Sequence, residues 1–317
     1  MGRWHAEAVK RCGARVAAVV DTDLVRATAL AARYDGARAT RSLPEALEGG
    51  GLDVAHVCTP FATHASVTSS AITAGLHALV EKPLASSASE VRELLASAQR
   101  AGRLLCPVHQ FVFQRGIRTA LSALHTAGSL LHVDAVARSA GADDQSDAAR
   151  DRIADDILPH ALAIVARIAP DELASARWSV ARPASGEIRA VGASARLTMS
   201  LLVSMSARPT VNALTLSAER ATIHLDLFHG FAVVERGGAS RRNKLLRPFR
   251  VASASLAVAT ANLVRRGIDR ELAYPGLMAL TRQFYAAAQG GAPPPFPERE
   301  ILLVADAWDT VRGAPRL

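Results

Sequence analysis

The sequence has few aromatic residues and few cysteines. Phe, Trp and Tyr together make up 4% of the 317 residues, which argues against a base-stacking surface for single-stranded nucleic acid. The three cysteines, Cys12, Cys58 and Cys106, include no pair with metal-ligand spacing, so we expect no metal site. We interpret them as small buried residues of a reducing compartment, with a reactive thiol as the alternative for Cys58.

Long hydrophobic runs are also absent from the sequence. The longest candidate, residues 251–264, is rich in Ser, Thr and Ala and is shorter than the roughly 20 residues that span a bilayer. The apolar stretch near the N-terminus is short and interrupted by charged residues, unlike a signal peptide. The sequence therefore predicts a cytoplasmic protein without a transmembrane segment.

The first hundred residues have the pattern of an α/β domain. Hydrophobic residues make up 50% of the chain and charged residues 21%, as in globular proteins, and the length favours two domains. Short apolar runs at 15–21, 52–60, 77–83 and 103–110 alternate with segments of helical spacing. This alternation predicts a parallel sheet with right-handed crossovers, so residues 1–113 are expected to form a doubly wound domain.

The pattern changes after about residue 113. A helix and a strand precede a polar loop, and a helix is expected to begin near Leu158. Six alternating runs then follow at close spacing, which indicates an antiparallel sheet. Three helices end the chain, at 251–266, 274–289 and 298–311. Residues 114–317 are thus predicted to form an α+β domain whose open, mostly antiparallel sheet serves substrate binding and oligomerisation.

Two candidate cofactor residues lie near the N-terminus. Asp21 ends the apolar run VAAVV, where a dinucleotide-binding fold places the carboxylate that holds the adenosine ribose. Gly2 lies upstream of Asp21, near the usual spacing of about twenty residues. The segment MGRWHAEAV is typical of the end of a glycine-rich loop and the helix after it. The alternative for Asp21 is a solvent-exposed turn residue.

Two further groups follow predicted strands. Thr59, Pro60 and His64 occur in VCTPFATH, and Glu81 and Lys82 occur in EKP. Cofactors bind at the carboxyl edge of a parallel sheet, and a Lys at the end of a buried strand suits proton exchange with a substrate hydroxyl. The alternatives are a strand-ending turn at Pro60 and an exposed Lys paired with Glu81.

A last pair, Asp156 and His160, occurs in DDILPHALAIV. The spacing of four places both residues on one helix face, and we expect them in the first turn, where Pro159 is tolerated. A carboxylate beside an imidazole suits acid–base chemistry at neutral pH. The alternative is an N-cap Asp with a packed His.

In order and spacing, these features resemble the glucose–fructose oxidoreductase/inositol dehydrogenase (Gfo/Idh/MocA) family, most clearly over residues 15–110. The resemblance implies a Rossmann domain that binds NAD, with NADP as the alternative because Arg26 and Arg41 could admit a phosphate. It also implies that Pro83 follows a cis peptide bond. Gln110 stands where relatives often carry Asn near the nicotinamide. The implied cofactor-binding residues are Gly2, Asp21, Thr59, Pro60, His64, Glu81, Lys82 and Gln110.

The resemblance also implies a reaction. A hydride would pass between the nicotinamide and a secondary alcohol or ketone of a sugar, cyclitol or nucleotide-sugar bound between the two domains. The implied catalytic residues are Lys82, Asp156 and His160. Lys82 or His160 would take the hydroxyl proton, and Asp156 would orient His160 or a substrate hydroxyl. The protein is expected to be a homo-oligomer.

Two departures from the family pattern qualify this expectation. The first strand of the Rossmann sheet and the first two glycines of its loop would precede Met1, which indicates a misplaced start or a truncated chain. Relatives also often carry an Arg-Phe pair where this sequence has Val112-Phe113. The alternative function is therefore a non-catalytic binding or regulatory protein of the same fold that has lost the glycine loop.

Positive charge is concentrated in one segment. The formal net charge is +8, and residues 236–250 carry six basic side chains. Three interpretations stay open: a solvated surface, a phosphate clamp for a phosphorylated or nucleotide-linked substrate, and contact with an anionic membrane. No nucleic-acid recognition motif accompanies the charge, so nucleic acid is not an expected partner.

Overall fold

The computed structural model describes residues 1–139, 141–237, 241–271 and 273–314, without the side chains of residues 241–244. Contacts divide the chain into two compact units. The first unit comprises Met1–Val108 and Leu277–Leu302, and the second comprises His109–Gly276 and Leu303–Leu317. The domain boundary after residue 113 stays a prediction; the contacts group residues 277–302 with the first unit.

The first unit alternates helices and short parallel strands, as the sequence predicts. In chain order its elements are α1 (Gly2–Arg11), β1 (Ala18–Val20), α2 (Leu24–Ala31), β2 (Arg38–Thr40), α3 (Leu43–Glu48), β3 (Val54–Val57), α4 (His64–Thr73), β4 (His77–Val80), α5 (Ala88–Arg100) and β5 (Leu105–Pro107). Helix α10 (Leu277–Ala288) also belongs to this unit, and α11 (Glu298–Arg312) begins in it.

Local sequence explains where the helices of this unit begin. The Asp23 side chain accepts hydrogen bonds from the backbone of Val25 and Arg26 at the start of α2. Ser42 and Ser87 cap α3 and α5 in the same way. Such caps satisfy amides that have no partner within the helix. The capping residues therefore determine where these helices begin.

The parallel strands form two separate ladders. Strand β1 pairs with β2, and β4 lies between β3 and β5. Leu79 in β4 is fully buried, whereas Val20 at the end of β1 is 42% exposed. Among the described residues, no ladder joins β1 to β3. The parallel strands of a Rossmann-type sheet are thus confirmed.

The second unit contains the antiparallel half of the fold. Its elements are α6 (Arg115–Ala127), β6 (Leu130–Arg138), α7 (Asp147–Ile168), α8 (Pro170–Ala174), β7 (Arg177–Ala181), β8 (Glu187–Ala193), β9 (Thr198–Ser204), β10 (Val211–Ala218), β11 (Ala221–Asp226), β12 (Phe231–Arg236) and α9 (Arg241–Ile268). The strand order is β12-β11-β10-β6-β9-β8-β7, and only the β6–β9 pair is parallel among these strands. The mostly antiparallel open sheet is confirmed.

One face of this sheet forms the core of the second unit. Burial alternates along the strands: Met199, Leu201 and Val203 of β9 are buried, and so are Leu214 and Leu216 of β10. This period of two places apolar side chains on one face. Helix α7 packs against β6, β8 and β9, so the core lies between α7 and the sheet.

Helix α7 is longer than predicted. It begins at Asp147, with Ser146 as its cap, and not near Leu158. Pro159 therefore lies inside the helix, where it has no N–H to donate to the carbonyl oxygen of Asp155. The indole Nε1 of Trp308 donates to that oxygen instead, at 2.8 Å. A tertiary contact thus offsets a local helix breaker, which sequence pattern alone does not show.

Helix α9 also begins earlier than predicted. It spans Arg241–Ile268 instead of 251–266, so much of the basic segment is helical. Residues 238–240 and the side chains of 241–244, where part of the predicted basic segment falls, lie outside the described residues. None of the helices described is long and apolar enough to cross a membrane.

Candidate functional site

The first unit brings together two of the predicted groups. Thr59 and Pro60 follow β3, and Lys82 follows the adjacent parallel strand β4. His64 connects the two loops: its Nδ1 lies 2.7 Å from the carbonyl oxygen of Pro83, and its Nε2 lies 2.9 Å from that of Thr59. The imidazole is 2% exposed. His64 therefore fixes the loops through its ring nitrogens, and its role in lining a cofactor cleft stays a prediction.

Glu81 fixes the start of the Lys82 segment. It is buried, and its Oε2 accepts a hydrogen bond from the Lys82 backbone at 3.3 Å. Its other oxygen, Oε1, accepts from Nε2 of His5 in helix α1 at 3.1 Å. The Lys82–Pro83 peptide bond is cis, as the resemblance implied. Helix α1 and strand β4 are thus joined at the position of the candidate catalytic lysine.

A chain of hydrogen bonds extends from Glu81 into the core of the unit. Nδ1 of His5 lies 2.9 Å from Nδ1 of His56 in β3. Nε2 of His56 lies 3.1 Å from the hydroxyl of Tyr285 in α10. With a proton on each nitrogen of His5, that ring donates to Glu81 and to His56, and neutral His56 donates to Tyr285. Every ring nitrogen of His5 and His56 then has a partner.

The pKa values agree with this proton arrangement. Burial opposes protonation of His5, but Cys58 and Glu81 outweigh it and raise the His5 pKa to about 9. Burial and the neighbouring His5 hold the pKa of His56 well below its usual value. Burial, with Cys12 and Asp53, raises the pKa of Tyr285. At neutral pH these hydrogen-bonded residues therefore include the imidazolium of His5, the neutral imidazole of His56 and the neutral phenol of Tyr285.

Asp21 lies where strand β1 ends. Its Oδ1 accepts a hydrogen bond from the backbone of Asp23 at 2.9 Å, and its backbone donates to Thr40 of β2. Arg41 donates to the carbonyl oxygen of Thr22 at 3.1 Å, which places a guanidinium on the loop after Asp21. A carboxylate and a nearby cation are thus both present at this strand end.

The first turn of α1 fits an anionic diphosphate. No acidic residue occurs there, and Met1 makes no side-chain cap. Backbone amides at a helix N-terminus attract anions. A Cβ at Gly2 would meet only Leu30, at 4.0 Å, so the described residues do not themselves require glycine at this position. The role of Gly2 beside a pyrophosphate stays a prediction.

Gln110 is the predicted cofactor residue of the second unit. Its side chain is 6% exposed, and its Oε1 has no hydrogen-bond partner among the described residues. Buried polar atoms normally have a partner, so this oxygen fits a donor of a bound ligand, such as a carboxamide.

Gly276 packs against the Gln110 backbone: it has a φ of +95°, and a Cβ there would lie 2.1 Å from the Gln110 carbonyl oxygen.

Asp156 and His160 lie in the middle of α7 and not in its first turn. The His160 ring stacks on Phe111, with centroids 4.2 Å apart and an interplanar angle of 19°. His160 lines a small cleft beside Ala137 and Asn212 of the sheet. Asp156 and His160 belong to the second unit and Lys82 to the first, so their joint catalytic role stays a prediction.

An arginine accompanies the departure at Val112-Phe113. The guanidinium carbon of Arg167, in α7, lies 5.7 Å from the centre of the Phe113 ring. This is the geometry of a cation–π contact. An arginine therefore lies beside Phe113 in space, although Val112 precedes Phe113 in the sequence.

His5, His56 and Tyr285 were not among the predicted site residues. His5 could have been found, because MGRWH places it three residues after Gly2 at the end of a glycine-loop pattern. His56 and Tyr285 are separated by 229 positions, and neither stands in a motif. Only the packing of α10 in this unit brings them together.

The comparisons with known proteins agree with this geometry. Residues 1–109 match the family described as "Oxidoreductase family, NAD-binding Rossmann fold". The chain is 35% identical over 147 residues to inositol 2-dehydrogenase of Leifsonia xyli subsp. xyli, a match that covers 44% of this chain and 42% of that protein. The chain therefore matches less than half the length of this curated relative.

Two solved structures share the fold over nearly the whole chain. The UDP-N-acetylglucosamine 3-dehydrogenase GnnA of Acidithiobacillus ferrooxidans has a TM-score of 0.73 at 19% identity, covering 98% of this chain and 93% of that one. The WlbA dehydrogenase of Bordetella pertussis, in complex with NADH and UDP-GlcNAcA, has a TM-score of 0.75 at 17% identity, covering 96% and 89%. Residues 1–109 are thus similar to the Gfo/Idh/MocA oxidoreductase family, and the solved structures share the fold of the whole chain.

Proposed function

We propose that the protein is an NAD(P)-dependent oxidoreductase that transfers a hydride between the nicotinamide and a secondary alcohol or ketone. The observation that carries the proposal is the position of Lys82. It follows β4 within the stretch that matches the family, on a segment held by Glu81 and connected through His64 to the end of β3. The carboxyl ends of parallel strands are where such folds bind cofactor and substrate.

The residues that would hold the cofactor would position it for the reaction. Asp21 would accept hydrogen bonds from the adenosine ribose, and the first turn of α1 would face the diphosphate. The unpartnered Oε1 of Gln110 would accept from the nicotinamide carboxamide. When bound, the cofactor supplies the hydride chemistry. Lys82 or His160 would exchange the substrate hydroxyl proton, with Asp156 orienting His160 or the substrate.

The proposed substrate class is a sugar, a cyclitol or a nucleotide-sugar. The names of the similar proteins support it: one acts on inositol, another on UDP-N-acetylglucosamine, and a third was crystallised with UDP-GlcNAcA. A phosphorylated or nucleotide-linked substrate also suits the positive net charge of the chain. Homo-oligomerisation through the open sheet is part of the same proposal and is tested by light scattering.

A second candidate function is supported by the break between the parallel ladders. Strands β1 and β3 are not paired with each other in the described chain, and the strand that carries the dinucleotide loop lies between such strands in a doubly wound fold. A chain that lacks this loop would act as a non-catalytic binding or regulatory protein. The two functions differ in cofactor affinity.

Calorimetric titration with NADH distinguishes them. The titration is made on the chain and on a fusion in which a β-strand and G-x-G segment from a relative precede Met1. We expect Asp21→Ala to weaken NADH binding by about tenfold or more, because it removes charge-assisted hydrogen bonds. If neither protein binds NADH or NADPH, the oxidoreductase proposal is wrong and the non-catalytic function takes its place.

Turnover then tests the proton-transfer residue. We expect Lys82→Ala or His160→Ala to lower kcat by about a hundredfold or more while NADH still binds, the usual effect of removing a general acid or base. Lys10→Ala is the matched control, because Lys10 is exposed at the end of α1. Equal activity of the Lys82, His160 and Lys10 variants would contradict both assignments.

A further inference from the structure

Helix α9 carries an exposed row of large apolar side chains. Leu245, Phe249, Leu256 and Leu263 are 75%, 75%, 71% and 70% exposed. At about 100° per residue, their spacings of four and seven place all four within about 40° of one line along the helix. We call these four side chains the apolar stripe. Isolated exposed leucines are common, but a continuous apolar row is typical of an interaction surface.

The opposite face of the helix is attached to the second unit. Val251, Ala254 and Val258 are partly buried, and α9 packs on strand β12. Near its end, Asn262 donates to the carbonyl oxygen of His229 at 2.9 Å, and Arg266 donates to that of Glu271 at 3.0 Å. These contacts fix the rotation of the helix, so the apolar stripe points away from the sheet.

The helix is also strongly basic. It contains no Asp or Glu, and its seven basic residues lie in two clusters at its ends: Arg241, Arg242, Lys244, Arg247, Arg250, Arg265 and Arg266. Arg247 forms a two-point ion pair with Glu235, with 2.8 Å between Nη2 and Oε2. The described side chains of Arg250 and Arg265 are exposed. At about 100° per residue, positions 241 and 242 lie within about 60° of the centre of the apolar stripe and Arg250 lies about 120° from it, whereas Arg265 lies on the opposite face.

We propose that helix α9 binds an anionic lipid surface, with the apolar stripe inserted between headgroups and the cations on the stripe's side of the helix facing lipid phosphates. Exposed apolar side chains and flanking cations on one helix are the features that hold amphipathic helices in the membrane interface. The described helices include none that crosses a membrane, so the contact is peripheral.

The charge of α9 favours an anionic lipid surface over a second copy of the chain or a nucleic acid. Two copies of α9 packed through their stripes would bring like charges together, because neither helix contributes an acid. A nucleic acid would match the arginines but would leave Leu256 and Leu263 in water, since a phosphate backbone binds cations and not leucine side chains. An anionic lipid surface satisfies both sets of side chains.

Vesicle flotation tests the proposal. Purified full-length protein is mixed with phosphatidylglycerol/phosphatidylcholine vesicles and, separately, with pure phosphatidylcholine vesicles. We expect binding to the mixed vesicles only. Raising the salt from about 0.1 M to about 1 M should weaken it, because the screening length falls from about 10 Å to about 3 Å.

Substitutions separate the two contributions. Leu256→Glu should lower vesicle affinity by at least about tenfold, since the side chain contributes the transfer free energy of a buried leucine. Arg250→Gln should lower it about fivefold, the effect of one cation near an anionic surface. Val25→Glu is the matched control, because Val25 is 78% exposed on helix α2, and it should bind like the wild type. Circular dichroism verifies that each variant is folded.

The outcomes are distinct. Failure of the folded wild type to bind mixed vesicles, or equal binding by Leu256→Glu, overturns the proposal. Light scattering on the same samples tests the alternative of a dimer. If the wild type is a dimer that does not bind vesicles, and Leu256→Glu dissociates it, the apolar stripe belongs to a contact with a second copy of the chain. Salt-sensitive binding to a DNA duplex by a wild type that does not bind vesicles would assign the arginines to nucleic acid.

Discussion

The protonated His5 makes the stability of the first unit depend on pH. Its pKa is raised from 6.5 to about 9 in the folded protein, although burial alone would lower it, because Cys58 and Glu81 stabilise the charged ring. A raised folded pKa contributes stability that is complete below pH 6.5 and is lost as the pH rises through 9. A difference of about 2.5 units, at about 1.36 kcal/mol each, gives a loss of about 3 kcal/mol.

His56 gives the stability of the first unit the opposite dependence on pH, at lower pH. Its folded pKa lies well below 6.5, because of burial and the neighbouring His5, so the folded ring stays neutral where the unfolded chain takes up a proton. Stability is therefore lost as the pH falls below 6.5. Together the two histidines predict a stability maximum of the first unit near pH 6.5.

Hydrogen exchange with mass spectrometry measures this for the first unit alone. Peptides that span β3 and β4 are followed in urea between pH 5 and pH 9.5, with correction for intrinsic exchange rates. We expect Glu81→Gln to lower stability near pH 6.5 and to flatten the loss above it, because the carboxylate partner of His5 is gone. Glu93→Gln, on the exposed face of α5, is the control. A wild-type profile that is flat above pH 6.5 would refute the assignment of the imidazolium to His5.

Two further predictions concern the second unit. Trp308→Phe should cost about 1–2 kcal/mol of unfolding free energy, since the carbonyl oxygen of Asp155 loses its donor. In a Pro159→Ala background the new amide can donate to that oxygen, so the same substitution should cost less; additive effects in urea unfolding would contradict this. Gly276→Ala should destabilise by about 2 kcal/mol or more, because its Cβ would overlap a backbone carbonyl oxygen at a positive φ. Gly267→Ala, which has open space around it, should leave the thermal unfolding midpoint equal or higher, and equal midpoints for the two variants would refute the steric argument.

The sequence by itself determined most of the parallel half. Apolar runs separated by helical segments and by Asp or Ser caps define the strands and helices up to residue 108, because each depends on neighbours a few positions away. The same local order places Lys82 two residues after the end of β4 and Thr59 two residues after the end of β3.

The sequence pattern predicted helix boundaries and buried helix faces less well where contacts between distant residues determine them. Pro159 made a helix start near Leu158 the natural prediction, yet α7 begins at Asp147, because Trp308 satisfies the carbonyl that Pro159 leaves without a donor. The rotation of α9 could not be read from its sequence either. Its Ala-rich composition fits several faces, and the contact with β12 selects the one that is buried.

The hydrogen-bonded chain beneath the candidate lysine was decided by tertiary structure alone. Glu81 follows strand β4, His56 lies in β3, and His5 and Tyr285 lie in helices α1 and α10. No local pattern relates these four residues. Their proton arrangement depends on burial, which lowers the pKa of an isolated imidazole, and on an acidic partner, which raises it. Burial and partner exist only in the folded chain. The sequence therefore determines which residues can ionise, and the packing decides which of them carries the charge.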